Sequence, residues 1–296
     1  MGRFRIAWVL LLGGLGHAQS QPSPEVGPDV RLEVRTRGNQ SIFRIGEIIP
    51  LELRFSSTVE SKYLLEMRTA DRSGRISADT YAVEPRSGWR DSLGDYFRTG
   101  AFMAGGIGPV DRMLTADPIT IAADLNEWVR FDRPGQYRVA VTSRRVTIPN
   151  LRRYELKPDG SVGLSGNAPL AVVSNPVLLT VIAPPPEWQQ TTLRAALAEL
   201  GEPVSAPPGA YTPARRDAIR VLRFLGTAEA AHELAQRIYD PICVYGDCEL
   251  GLAGFHARKL ALEELSKELR ESGRFQDTRW SHVMSVLATP EDVGGR

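Results

Sequence analysis

One feature constrains this chain more than any other: a change of hydrophobic period at Ala183-Pro184-Pro185-Pro186. Before that point apolar residues recur at every second position. After it they recur every three to four. A proline run cannot continue a central strand, and it makes a stiff spacer. The chain is therefore expected to form two units, a β unit over 29–182 and an α unit over 187–290, joined by a linker at 183–186. A length of 296 residues suits two domains of ordinary size.

In the first unit Leu51, Leu53 and Phe55 alternate with Glu52 and Arg54. Val30, Leu32 and Val34 behave alike, as do Tyr63, Leu65 and Met67, and Ile119, Ile121 and Ala123. Tyr137, Val139 and Val141, then Val177, Leu179 and Val181, complete the series. Alternation places one face on a core and the other in water. Short strands of this kind, separated by Gly, Pro and Asp turns, predict an antiparallel sandwich. Residues 70–113 and 147–171 exceed a minimal sandwich and are expected to be insertions. The first carries Trp89, Tyr96, Phe97 and Phe102. Aromatics on long loops are candidate binding residues, or they fold back over an end of the sandwich.

In the second unit the spacing predicts helices over 187–200, 216–225, 227–238, 256–271 and 278–287. Ala218, Leu222 and Leu225 share one helical face; Ala231, Leu234 and Ile238 share another. Gly226 is placed to stop one helix and Thr227 to cap the next.

Two runs in the first unit resemble known sandwiches. Asp132-Arg-Pro-Gly135-Gln-Tyr137-Arg-Val139-Ala-Val141 is similar to the tyrosine corner of immunoglobulin-like domains. Phe43-Arg-Ile-Gly46-Glu47-Ile-Ile-Pro-Leu51 resembles the turn before strand B of macroglobulin-type sandwiches. The resemblance implies an immunoglobulin-like sandwich whose Tyr137 hydroxyl bonds nearby backbone. In the second unit the run Arg216–Leu234 resembles a HEAT-type helical hairpin. That implies stacked helical pairs of a kind that commonly bind other proteins. About two hairpins are present, where a solenoid needs about three repeats for a continuous core. The helices are therefore expected to cap themselves, dock on the sandwich or lean on a partner. The combination is similar to secreted bacterial proteins, and the resemblance implies no activity.

The N-terminus reads as an export signal over residues 1–18. Arg3 and Arg5 precede the apolar run Ile6–Gly16, and Gly16 and Ala18 lie at the −3 and −1 positions of a cleavage site. The apolar run is short of the ~20 residues that a spanning helix needs. The mature chain is expected to be periplasmic or extracellular, with no integral membrane segment. In an oxidising compartment Cys243 and Cys248, separated by a turn with Gly246, read as a disulfide. Free thiols are the alternative. A zinc site would need four ligands, with only His256 nearby, and redox pairs have the tighter C-x-x-C spacing.

The sequence carries no motif for a catalytic, cofactor or metal site. Four His occur, at 17, 232, 256 and 282, so no His lies in the β unit. Gly163-Leu-Ser165-Gly166-Asn167 lacks the last Gly of a nucleophile elbow. Arg144, Arg145, Arg152 and Arg153 form a basic cluster, read as a solvated strand end or an anion contact. The net charge of +1 gives no field to attract nucleic acid. The expected function is a non-catalytic secreted binding or scaffold protein whose partner is another protein. Two alternatives remain: a secreted hydrolase with carboxylates at the interdomain cleft, and a structural cell-envelope protein.

Overall fold

The computed structural model describes residues 29–68, 75, 78–99, 111–149, 154–156, 162–164, 169–201, 212–273 and 278–289. The export signal, Phe102, Ser165, Arg152 and Arg153 lie outside the described residues.

Two sheets enclose the first core. Val30–Thr36, Pro50–Ser57 and Ile119–Asp124 form a three-stranded antiparallel sheet, with Val34 opposite Leu53 and Leu53 opposite Ile121. The second sheet is organised around the long strand Gly135–Thr147. It pairs with Val177–Ile182 and Leu170–Val173, and also with Asp79–Glu84 and Leu64–Leu65. The alternating residues read from the sequence point inward: Leu32, Leu53, Val139 and Leu179 belong to one buried cluster.

The second sheet is mixed rather than purely antiparallel. Ile42–Arg44 joins Val177–Ile182 in parallel, with Phe43 opposite Val181. After its first strand the chain turns through Arg37–Asn39 and continues in the other sheet. Periodicity reports which face is buried and says nothing of strand direction, so this pairing is invisible in it. The outer side of Ile42–Arg44 is an edge, and the chain closes it locally. Gln40 Nε2 donates to the Ile42 carbonyl (2.8 Å), the Arg44 N–H donates to Glu47 Oε2 (2.9 Å), and the Glu47 N–H donates to the Arg44 carbonyl (2.9 Å). An edge satisfied by its own residues is a poor template for strand addition.

Tyr137 is buried, and its hydroxyl donates toward the Arg133 carbonyl (2.9 Å) and lies 3.2 Å from the Gly88 carbonyl. Tyr137→Phe keeps the ring and removes this bond. It is expected to cost about 1 kcal/mol, measured as a shift of the urea midpoint at unchanged slope.

Seven α-helices occur among the described residues, in chain order: α1 Gly94–Thr99, α2 Pro186–Leu200, α3 Pro213–Leu225, α4 Ala228–Gln236, α5 Asp247–Ala253, α6 Arg258–Glu271 and α7 Thr278–Ala288. Gly226 does end α3, in the left-handed region at φ 73°, and the Thr227 side chain accepts from the Ala230 N–H at the start of α4. Helix α2 packs on α3, α4 on α6, and α6 on α7. Short α5 lies against α3, α4, α6 and α7. Its Gly251 lets α3 and α4 come close, since a Cβ there would stand 2.8 Å from Leu234 and 2.9 Å from Arg223.

Helix α1 belongs by sequence to the first insertion, yet it packs with the helices of the C-terminal half. Leu93 and Tyr96 are buried in the second core, alongside Leu252, Leu265 and Trp280.

Candidate functional site

The described residues include two places that gather polar side chains from different elements. The first is the seam between the two cores. On its β side stand the Arg44–Glu47 turn, the 3₁₀ turn Leu125–Glu127, and Arg130. Asn126 fixes the first of these: its side chain accepts from the Ile49 N–H (2.7 Å) and donates to the Glu47 carbonyl (2.9 Å). Gly46 sits where the turn meets α3, at φ 88°. A Cβ at this position would stand 2.8 Å from the Leu225 carbonyl oxygen, so a side chain would force the turn and the helix apart.

Arg223 of α3 is the centre of the seam. Its side chain is 4% exposed and bonds Glu127 on the β side (2.7 Å) and Asp247 of α5 (2.6 Å). Burial alone would push its pKa down; the charge of Glu127, then that of Asp247, outweighs this and holds it above the ordinary value. One turn earlier, Arg220 pairs with Asp124. Arg130 reaches the other way, donating to the Gly254 carbonyl (3.0 Å) with His256 Nδ1 3.2 Å away. Arg44 lies over the Trp188 ring of α2, 5.4 Å from its centroid. A cavity of about 10 Å³ remains between Gly46, Ser92, Asn126, Arg130 and Phe224. That is room for one water molecule.

The second place is an open groove of about 560 Å³ beside the linker. Pro186, Gln189, Gln190, Leu193 and Arg194 of α2 line one wall; Gly226, Thr227 and Glu229 at the α3–α4 turn line the other. Antiparallel packing puts the start of α2 next to the end of α3, which is why these residues converge. Leu193 supplies an apolar patch, the glutamines donate and accept, and Arg194 and Glu229 carry opposite charges. Gly226 is common to groove and seam: a Cβ on it would meet Arg130 Nη2 and, at 3.3 Å, His256 Nδ1.

Trp89 is partly buried and donates from Nε1 to the Pro85 carbonyl (3.0 Å). Tyr96 is 1% exposed and donates to Glu249 Oε1. Burial, then that hydrogen bond, pushes its phenol pKa up and keeps it a donor. Phe97 packs partly buried against the helical core, edge-on to Tyr96. Where the sequence allows folding back over an end of a sandwich, Tyr96 and Phe97 pack into the core of the C-terminal helices. His232 meets Glu264 (2.9 Å), and His282 Nε2 lies 3.1 Å from the Tyr96 carbonyl. Arg145 departs from the reading of a solvated strand end, since it is buried against Asp79. Arg144 is exposed.

Cys243 and Cys248 lie at disulfide distance, with Cα atoms 5.3 Å apart. Thiol titration of denatured, unreduced protein is expected to find no free sulfhydryl. Reduction is expected to cost about 2 kcal/mol, low because the closed loop is short. Two titratable thiols would reject the bond. Among the described residues no group of His, Cys, Asp and Glu is placed to hold a metal ion, and no helix is long and apolar enough to cross a membrane.

No family model matches the chain, and no curated protein matches it. Among solved structures, the crystal structure of native alpha-2-macroglobulin from Escherichia coli, spanning domain MG7 to the C-terminus, is similar at 10% identity and a TM-score of 0.25. The match covers 90% of this chain and 55% of that one. At that score the likeness carries no argument.

Proposed function

We propose that this chain is an exported, non-catalytic binding protein. In this reading an immunoglobulin-like sandwich is the frame, HEAT-type helical hairpins carry the contact surface, and the partner is another protein. The observation that carries it is the groove between α2 and the α3–α4 turn. It mixes an apolar patch with amide, hydroxyl and charged groups. Such a lining suits an extended peptide segment, whose backbone needs donors and acceptors and whose side chains need somewhere apolar to rest. The cysteine pair supports export.

The carboxylates nearest an interdomain cleft support the non-catalytic reading too. Asp124, Glu127 and Asp247 each hold an arginine: the first two tie α3 to the β side, and Asp247 ties α5 to α3.

The test is capture of partners from the periplasmic or secreted fraction by the full mature chain, beside Leu193→Asp and Arg194→Glu variants. A saturable partner whose affinity falls at least about tenfold in both variants is the expected result. Turnover of a hydrolase substrate that a single carboxylate substitution abolishes would overturn the proposal.

A further inference from the structure

We infer that helix α1 is a strap that joins the sheets and the C-terminal helices into a single cooperative body. The inference is independent of the binding role and goes beyond it. It rests on where α1 is attached and where it is packed. On its N-terminal side the chain leaves the strand Trp89–Arg90, which pairs with Arg130–Phe131. On its C-terminal side the chain returns to Arg112–Met113, which pairs with Leu64–Leu65 at the edge of the large sheet. Both anchors are strands. Yet Leu93 and Tyr96 are buried in the helical core.

Each side of α1 is engaged by a different helix of that core. Leu93 lies against Gly254 at the end of α5, where an added Cβ would stand 3.0 Å from its Cδ2. The Tyr96 hydroxyl donates to Glu249 of α5. The Tyr96 carbonyl meets His282 of α7, and Asp95 pairs with Arg258 of α6 (2.9 Å). The helical core therefore cannot open without unseating α1. Unseating α1 in turn pulls on the two-stranded ribbon of Trp89–Arg90 and Arg130–Phe131 on one side, and on the edge strand Arg112–Met113 of the large sheet on the other. The seam at Arg220, Arg223 and Arg130 already ties the two cores by side chains; the strap adds a connection through the chain itself, so that opening of the helices reaches the strands.

Native-state hydrogen exchange on the full mature chain, read by mass spectrometry under low denaturant, tests this. The slowest amides of Gly135–Thr147 and those of α6 are expected to open with one common equilibrium constant and one denaturant slope. Leu93→Ala, which empties a buried site in the helical core, is expected to raise that constant at least about 30-fold in strands and helices alike. The milder Tyr96→Phe is expected to raise it about tenfold or less, again equally in both. Two distinct openings in the unaltered chain would overturn the inference. So would faster exchange confined to the helices in either variant. If Leu93→Ala does not fold, the unaltered chain and Tyr96→Phe decide.

Discussion

Arg145→Ala is expected to destabilise the protein by about 3–5 kcal/mol, several times the effect of an exposed charge. Arg145 and Asp79 bond at 2.8 Å with side chains 2% and 1% exposed. Removing the guanidinium leaves a carboxylate with neither its counter-charge nor water. The Glu66 and Arg68 carbonyls, which Arg145 also bonds, lose their donor. Asp79→Ala should cost a similar amount by stranding the opposite charge. Replacing both residues together with apolar side chains of matching volume should recover much of the loss, because the desolvation penalty goes with the pair. Urea denaturation of the four proteins measures this. A cost below about 1 kcal/mol for either single variant would mean that the pair is wet.

The phase of Arg145 was written in the sequence. Tyr137, Val139 and Val141 set an inward series, and two more steps along the same strand reach Ser143 and Arg145, both buried. Reading the Arg144-Arg145 dipeptide as one basic cluster hides the fact that neighbouring strand residues face opposite ways. Elsewhere alternation at 51–55, 137–141 and 177–181 gave the inward faces correctly. The Gly226-Thr227 junction was legible because stop and cap chemistry is local.

What escaped has physical reasons. Helices α1 and α5 have six and seven residues, too few to display a period. Their stability comes from tertiary burial that no local pattern announces. The groove was unreadable for another reason. Gln189, Gln190, Arg194 and Glu229 are ordinary residues for a solvated helix face, and only the packing of α2 on the α3–α4 turn makes them neighbours. The seam left one trace. Arg223 sits amid Ile219, Leu222, Phe224 and Leu225, all buried, so the last turns of α3 are enclosed on more than one side. An arginine inside such a run needs partners brought from other elements.

That position carries the other large effect. Arg223→Ala is expected to cost about 3–5 kcal/mol, because it takes from Glu127 and Asp247 the guanidinium that both of them bond. Arg223→Lys should rescue only a fraction of this. One ammonium on a flexible stem cannot hold two carboxylates the way a planar guanidinium does with separate nitrogens. Adding Glu127→Gln and Asp247→Asn to Arg223→Ala should restore a measurable share of the stability, since the stranded charges are what the single variant suffers from. Arg220→Ala, one turn away on a side chain about a third exposed, should cost no more than about 1 kcal/mol. If Arg223→Ala and Arg220→Ala cost the same, the seam is held by packing alone. A large loss at Arg223 that the two amide substitutions relieve would show that charge joins the helices to the sheets.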